Sequence, residues 1–254
     1  MAATLTHSLP APSVGLITGT GLPRTTRSLG NGLVSAMVTG MGKRGLLAAV
    51  VLALAASAAL AQDTEAPVFQ LVEDTEARYR IDEGFMGRDI TVISVTPLVT
   101  GTVQFDRNDP LSTSVGTITI DARDLDSGRS QRDRAVVSRI LQANRDQYRY
   151  ITFEPTAIAG MPPLVQVGDT LELQITGLLR IRDSTNEVVF DTTVRVASET
   201  KLRGKASTTI LWRDYGLRIP GVPQVSWVAE EVTLQLIFTA VLSDSVKPPQ
   251  ERPD

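Results

Sequence analysis

Cysteine is absent from the 254-residue chain, and histidine occurs once, as His7. The first absence removes disulfides, thiol nucleophiles and thiolate metal sites, and leaves the redox compartment open. The second removes a Ser-His-Asp triad and imidazole metal sites from any domain that does not contain His7. Acidic residues are missing from positions 1–61, which hold Arg24, Arg27, Lys43 and Arg44. Those four cations, taken from the chain's 25, leave 21 against 28 acids, a balance of −7 for the remainder. Binding a nucleic-acid backbone needs a basic face, so this balance argues against nucleic acid as a partner.

No apolar run is long enough to cross a bilayer. The longest, within MGKRGLLAAVVLALAASAALAQ from Met41, extends for about sixteen residues to Ala61, against the roughly 20 that a spanning helix needs. Lys43 and Arg44 precede an apolar core from Leu46 to Ala56, and Ala59-Leu60-Ala61 offers small residues for cleavage. Residues 41–61 therefore read as a secretory signal peptide, with an uncleaved anchor as the other reading. The expected location is extracytoplasmic, periplasmic or secreted, after cleavage near Ala61. No cysteine follows the core, which excludes a bacterial lipoprotein anchor. Residues 1–40 carry neither alternation nor helical period and are expected to be a dispensable or disordered extension, with translation starting at Met41. Residues 62–76 are expected to be a linker and 244–254, rich in proline, a disordered tail.

Between these ends the dominant signal is alternation. In VGDTLELQITGLLRI, Leu171, Leu173, Ile175, Leu179 and Ile181 are apolar while Glu172, Gln174, Arg180 and Arg182 are polar. In the run that follows, Val188, Phe190, Val194 and Val196 alternate with Asp191, Thr193 and Arg195. Successive side chains of a strand point to opposite faces, so each run has one apolar and one wet face. Further strands are expected at Ala77–Ile81, across Ile90–Phe105 with a break at Pro97, at SVGTITIDA, at YITFEP, at Lys201–Trp212 and at Val232–Leu242. Residues 130–144 change period, with Val136, Val137, Ile140 and Leu141 at helical spacing. Ser130 and Asp133 suggest a capping box there, and Asn144 a stop.

About eight strands, one short helix and polar turns make an all-β protein, an eight-stranded antiparallel barrel at 77–243. Such barrels are filled by side chains or hold one small ligand. The inward set by phase is Phe105, Ile118, Ile120, Phe153, Leu173, Ile175, Leu179, Phe190, Val194, Leu236 and Phe238. It is almost wholly apolar, so a ligand entering it should be apolar as well. Other candidates are weaker. Asp121, Asp124, Asp126 and Gly128 lack the spacing and closing Glu of a calcium loop, and no metal or cofactor is expected. Tyr148, Tyr150, Trp212, Tyr215 and Trp227 suit either a headgroup or membrane border, or plain rim and core packing. Arg218 is a candidate anion contact.

The succession TVISVTPLVTGTVQFD, TITIDARDLDSG, QRDRAVVSRIL, YITFEPT, GDTLELQITGLLRI, TNEVVF and VTLQLIFTA resembles the YceI-like, or polyisoprenoid-binding, family across Ala77 to Leu242. The resemblance implies a lipocalin-like antiparallel barrel outside the cytoplasm, around an elongated apolar cavity that holds a long isoprenoid or similar amphiphile, with no catalytic residues. Gly177, Leu179, Ile181, Thr185 and Phe190 fit the family's hairpin, while Leu178, Arg180, Asp183 and Ser184 depart from it. Leu178 and Arg180 fall on the outer face by phase, and Asp183 tolerates the left-handed backbone a glycine would supply. Arg132 and Asp133 coincide with an Arg-Asp pair recurrent in the family, either at a cavity mouth or headgroup, or as helix capping.

The expected function is that of a non-enzymatic binding protein for a polyisoprenoid lipid, an isoprenoid quinone being one form of it, with transient membrane contact. A scaffold for a membrane complex is the alternative, and a lipid-processing enzyme a third reading. The third is disfavoured because no inward polar pair stands out in the strands. Oligomeric state is left open by the residues.

Overall fold

The computed structural model describes residues 66–245. The extension 1–40, the signal peptide 41–61 and the tail beyond 245 lie outside the described residues. Period-two alternation becomes thirteen strands, all paired antiparallel. In chain order they are β1 (Val68–Leu71), β2 (Glu76–Phe85), β3 (Arg88–Thr96), β4 (Val99–Thr100), β5 (Thr102–Gln104), β6 (Ser114–Val115), β7 (Ile118–Asp121), β8 (Tyr150–Ala159), β9 (Thr170–Ile181), β10 (Ser184–Ser198), β11 (Lys201–Leu211), β12 (Val225–Val228) and β13 (Glu231–Leu242).

Several of these are successive segments of one stave. β1 and β2 both lie along β13, through Phe69↔Leu242 and Ala77↔Leu236. β3, β4 and β5 form the next stave, interrupted at Pro97 as the missing proline N–H requires. β6 and β7 form the third, against β5 and β4. Pairing then runs from β7 through β8, β9, β10, β11 and β13 and returns to β1. Eight staves thus close into an antiparallel barrel, in which every inward face meets another and few backbone groups are left as open edge. The longest ladder is the β9–β10 hairpin, in register from Ile181↔Ser184 to Thr170↔Arg195.

In the sheet, the sequence reading needs correction at four places. Residues 62–76 are not all linker: β1 lies within them, and its Phe69 is buried in the barrel. β2 does not stop at Ile81 but continues to Phe85. β12 is an additional strand laid on the end of β2. At the β9–β10 turn Arg182, not Asp183, takes the left-handed backbone, with φ of 55°.

The one α-helix among the described residues, α1 (Ser130–Ala135), continues into a wider turn at Val136–Ile140 in which the Leu141 N–H bonds the Val136 carbonyl five residues back. Its start has no capping box. Asp133 instead accepts from the N–H and hydroxyl of Ser127, closing the loop ahead of the helix. Its end is Gln142, left-handed at φ 54°, two residues before Asn144.

A cluster around Asp121 fastens the end of β7 to the start of β8. Its carboxylate accepts from Arg123 and Arg149 at 2.8–3.1 Å. Burial pushes the Asp121 carboxyl up, but the two guanidiniums outweigh it and hold it at about 2 against an ordinary 3.8. Because the folded value lies below the unfolded one, this stabilisation is present above pH ~4 and is lost as pH falls towards ~2. Asp121→Asn is expected to cost about 2 kcal/mol at neutral pH. Urea denaturation of both proteins across that window should show their difference shrinking to nothing at the acid end.

Candidate functional site

The inward faces do not meet at the barrel axis. They enclose a cavity of about 1180 Å³, larger than the roughly 300–1,000 Å³ of most small-molecule pockets and far beyond a packing defect of ~150 Å³. All eleven inward candidates line it. Ile118 and Ile120 come from β7, Phe153 from β8, Leu173, Ile175 and Leu179 from β9, Phe190 and Val194 from β10, and Leu236 and Phe238 from β13, while Phe105 follows β5. A glycine gives the Phe153 ring its place on this wall. A Cβ on Gly177 would lie 2.6 Å from the Phe153 ring, and that ring packs edge-on against Phe190 at 4.9 Å between centroids.

One end of the barrel is apolar and closely packed, with Phe69, Phe105, Val165, Leu171, Val196 and Leu202 buried together. The other end is bordered by α1 with its wider turn and by the segment 217–225, whose Leu217, Ile219 and Val222 also line the cavity. Charged lining residues gather at this second end, most of them outside the strands. Glu83 points inward from the unanticipated extension of β2, in phase with Ala77, Tyr79, Ile81 and Phe85, and is 7% exposed. Following the odd positions past Ile81 would have revealed it. Arg132 crosses from α1 and donates to Glu83 at 2.6 Å. The inward set is therefore not wholly apolar, and Arg132 sits at the cavity while Asp133 serves the loop. Burial also raises the Tyr79 phenol above its ordinary 10.0, which keeps it a neutral donor on the wall.

The remaining candidates are placed as follows. Asp121 is occupied by two arginines, and Asp126 accepts from the Gly128 N–H in the following turn. Trp212 lines the cavity with its indole N–H donating to the Ala229 carbonyl, and Tyr215 is buried. Tyr148 donates to Asp183, tying the helix end of the barrel to the β9–β10 turn. Tyr150 and Trp227 lie on the surface, the latter donating to Asp89. Arg218 is exposed and does not line the cavity.

Comparison with known proteins gives the same architecture. Burkholderia cenocepacia BcnA superposes with a TM-score of 0.53 at 19% identity, covering 66% of this chain and 97% of that one. A polyisoprenoid binding domain from Saccharophagus degradans, implicated in plant cell wall breakdown, gives 0.53 at 10% identity over 70% and 99%. At such identities the likeness is one of fold, an antiparallel lipocalin-like barrel. No curated protein sequence matches the chain. The model of the YceI-like domain matches residues 73–240 of the 254, from just ahead of β2 to near the end of β13, and the chain belongs to that family.

Proposed function

We propose that the protein is an exported, non-enzymatic carrier that holds the tail of a polyisoprenoid or similar long amphiphile inside the barrel. The observation that carries this reading is the cavity itself, a space of about 1180 Å³ walled by aliphatic and aromatic side chains from all eight staves. Burying one five-carbon isoprenoid unit there is worth roughly 4 kcal/mol gross at ~0.8 per methylene, before ordering and association costs. A few units in the cavity are enough for tight binding. The enzymatic alternative needs an acid and a base, and Glu83, the one carboxylate lining the cavity among the described residues, is held in an ion pair with Arg132.

Export follows from the signal-like segment 41–61, with cleavage near Ala61 releasing the barrel outside the cytoplasm. The ligand would be loaded by transient contact with a membrane. Mass spectrometry of the protein purified from its own host is expected to find a stoichiometric isoprenoid lipid and a mature N-terminus near Gln62. An empty barrel in that preparation would favour the scaffold reading, and turnover of a bound lipid by the pure protein would favour an enzyme.

A further inference from the structure

Closure of the barrel between β7 and β8 rests on a short ladder, from Ile118↔Phe153 to Asp121↔Tyr150. Carried further, that register would set Gly116 opposite Pro155 and Ser114 opposite Ala157. Pro155 has no N–H to offer a ladder, and β8 bulges against β9 between Pro155 and Ala157, so the pairing fails there. β6 pairs only with β5, through Val103↔Val115 and Gln104↔Ser114, and the edge of β8 from Glu154 to Ala159 that faces away from β9 has no ladder partner among the described residues. A seam is left between β6 and β8. It holds a space of about 280 Å³, with Leu111 and Ser114 on one bank and Pro155, Thr156 and Ala157 on the other. Thr113, Val115, Ile158 and Met161 line this space and the main cavity alike, so side chains and not a backbone ladder divide the two. The seam lies at the end away from α1, where Ile158 and Met161 pack on the cluster of Phe69 and Phe105. Its surroundings are apolar at the surface too. Leu111 is 68% exposed, and Leu164, three residues beyond Met161, is 67% exposed.

On the reading that the barrel holds the tail of a long amphiphile, we propose that the β6–β8 seam is a lateral entrance through which the hydrocarbon chain passes between a bilayer and the cavity. Leu111 and Leu164 set the seam against the acyl boundary of the membrane, and Val115, Ile158 and Met161 continue the apolar path inward. An open strand edge also invites an extended peptide, but a proline and a bulge are the features that blunt an edge against strand addition, and both stand on this stretch of β8. Opening breaks few bonds. Among the described residues the flank Pro110–Gly116 is hydrogen-bonded to the rest of the barrel only along the stave of β5, by the two pairs above, the Gly116 N–H to the Thr102 carbonyl and the Ser114 hydroxyl to Gln104. β8 meanwhile stays anchored to β9.

The absence of cysteine makes the seam easy to lock. Ser114→Cys and Thr156→Cys place one thiol on each bank, to be joined by a bis-maleimide with a reducible link and the product checked by mass. Transfer of tritiated geranylgeraniol between phosphatidylcholine vesicles and the protein, as its host produces it, is then timed. An entrance governs rates and not affinity, so the locked protein is expected to load and release the lipid at least about tenfold more slowly while binding the same amount at equilibrium. Reducing the link should restore the original rate, which also shows that the variant is folded. The comparison is a lock at the other end, Gln131→Cys with Gln224→Cys, which joins α1 to the segment 217–225 and should leave the rate unchanged. An unchanged rate with the seam locked, or slowing by the α1 lock instead, overturns the entrance and leaves the carrier reading intact. Failure of the unaltered protein to take up the lipid overturns the carrier reading and the entrance with it.

Discussion

Ile175→Asp is expected to abolish lipid retention in a protein that still folds. Ile175 sits midway along β9, half-buried, opposite Phe190 on one neighbour and Ile158 on the other, with all three side chains on the cavity wall. An ionised carboxylate there must keep its hydration, so it brings water to the surface that an isoprenoid tail would cover. Losing the contact of one unit and gaining an unpaired charge puts the expected fall in affinity at about 100-fold or more at neutral pH. Folding is less affected, because the cavity already gives the new group room and access to solvent at one end. The apolar surroundings raise the introduced carboxyl, so retention should partly recover as pH is lowered and the group becomes neutral. Val189→Asp is the control. That residue lies on the outer face of β10, 44% exposed, and its replacement should leave lipid retention unchanged. Delipidation followed by titration with an isoprenoid lipid measures both, and unchanged retention in Ile175→Asp would refute the assignment of this wall to the ligand.

Most of the barrel was legible in the sequence because the physics that builds it is local. A strand with one face in water and one in an apolar interior must alternate, and the long strands β9, β10 and β13 do so without needing any distant partner. For the same reason all eleven residues placed inward by phase do line the cavity. What escaped was short or depended on contacts remote in sequence. β1 and β12 have four residues each, too few to display a period. β2 runs past Ile81 through Asp82-Glu83-Gly84, residue types that favour turns, and a carboxylate facing an apolar interior is a poor guess unless its partner is known. That partner is Arg132, 49 positions away. The helix misled in a related way, since Asp133 lies three residues beyond Ser130, as a capping box requires, yet Ser127 claims it.

The Glu83–Arg132 pair should have the largest effect on stability of any single contact at the end of the barrel bordered by α1. The two side chains are 10% and 18% exposed, and their 2.6 Å bond joins the wall at β2 to the helix that borders the cavity. Arg132→Leu leaves Glu83 inward and without its counter-charge, a change expected to cost about 3–5 kcal/mol. Replacing both by leucine removes the stranded charge, and most of that loss should be recovered, because an apolar pair can match a buried ion pair once neither charge needs solvation. Glu83→Gln keeps an acceptor for Arg132 and should fall between, at about 1–3 kcal/mol. A double-mutant cycle by urea denaturation measures the coupling directly. A double variant as unstable as Arg132→Leu alone would mean that Arg132 acts through packing of α1 and not through Glu83. Recovery in the double variant would instead identify the pair as the electrostatic clasp between helix and barrel.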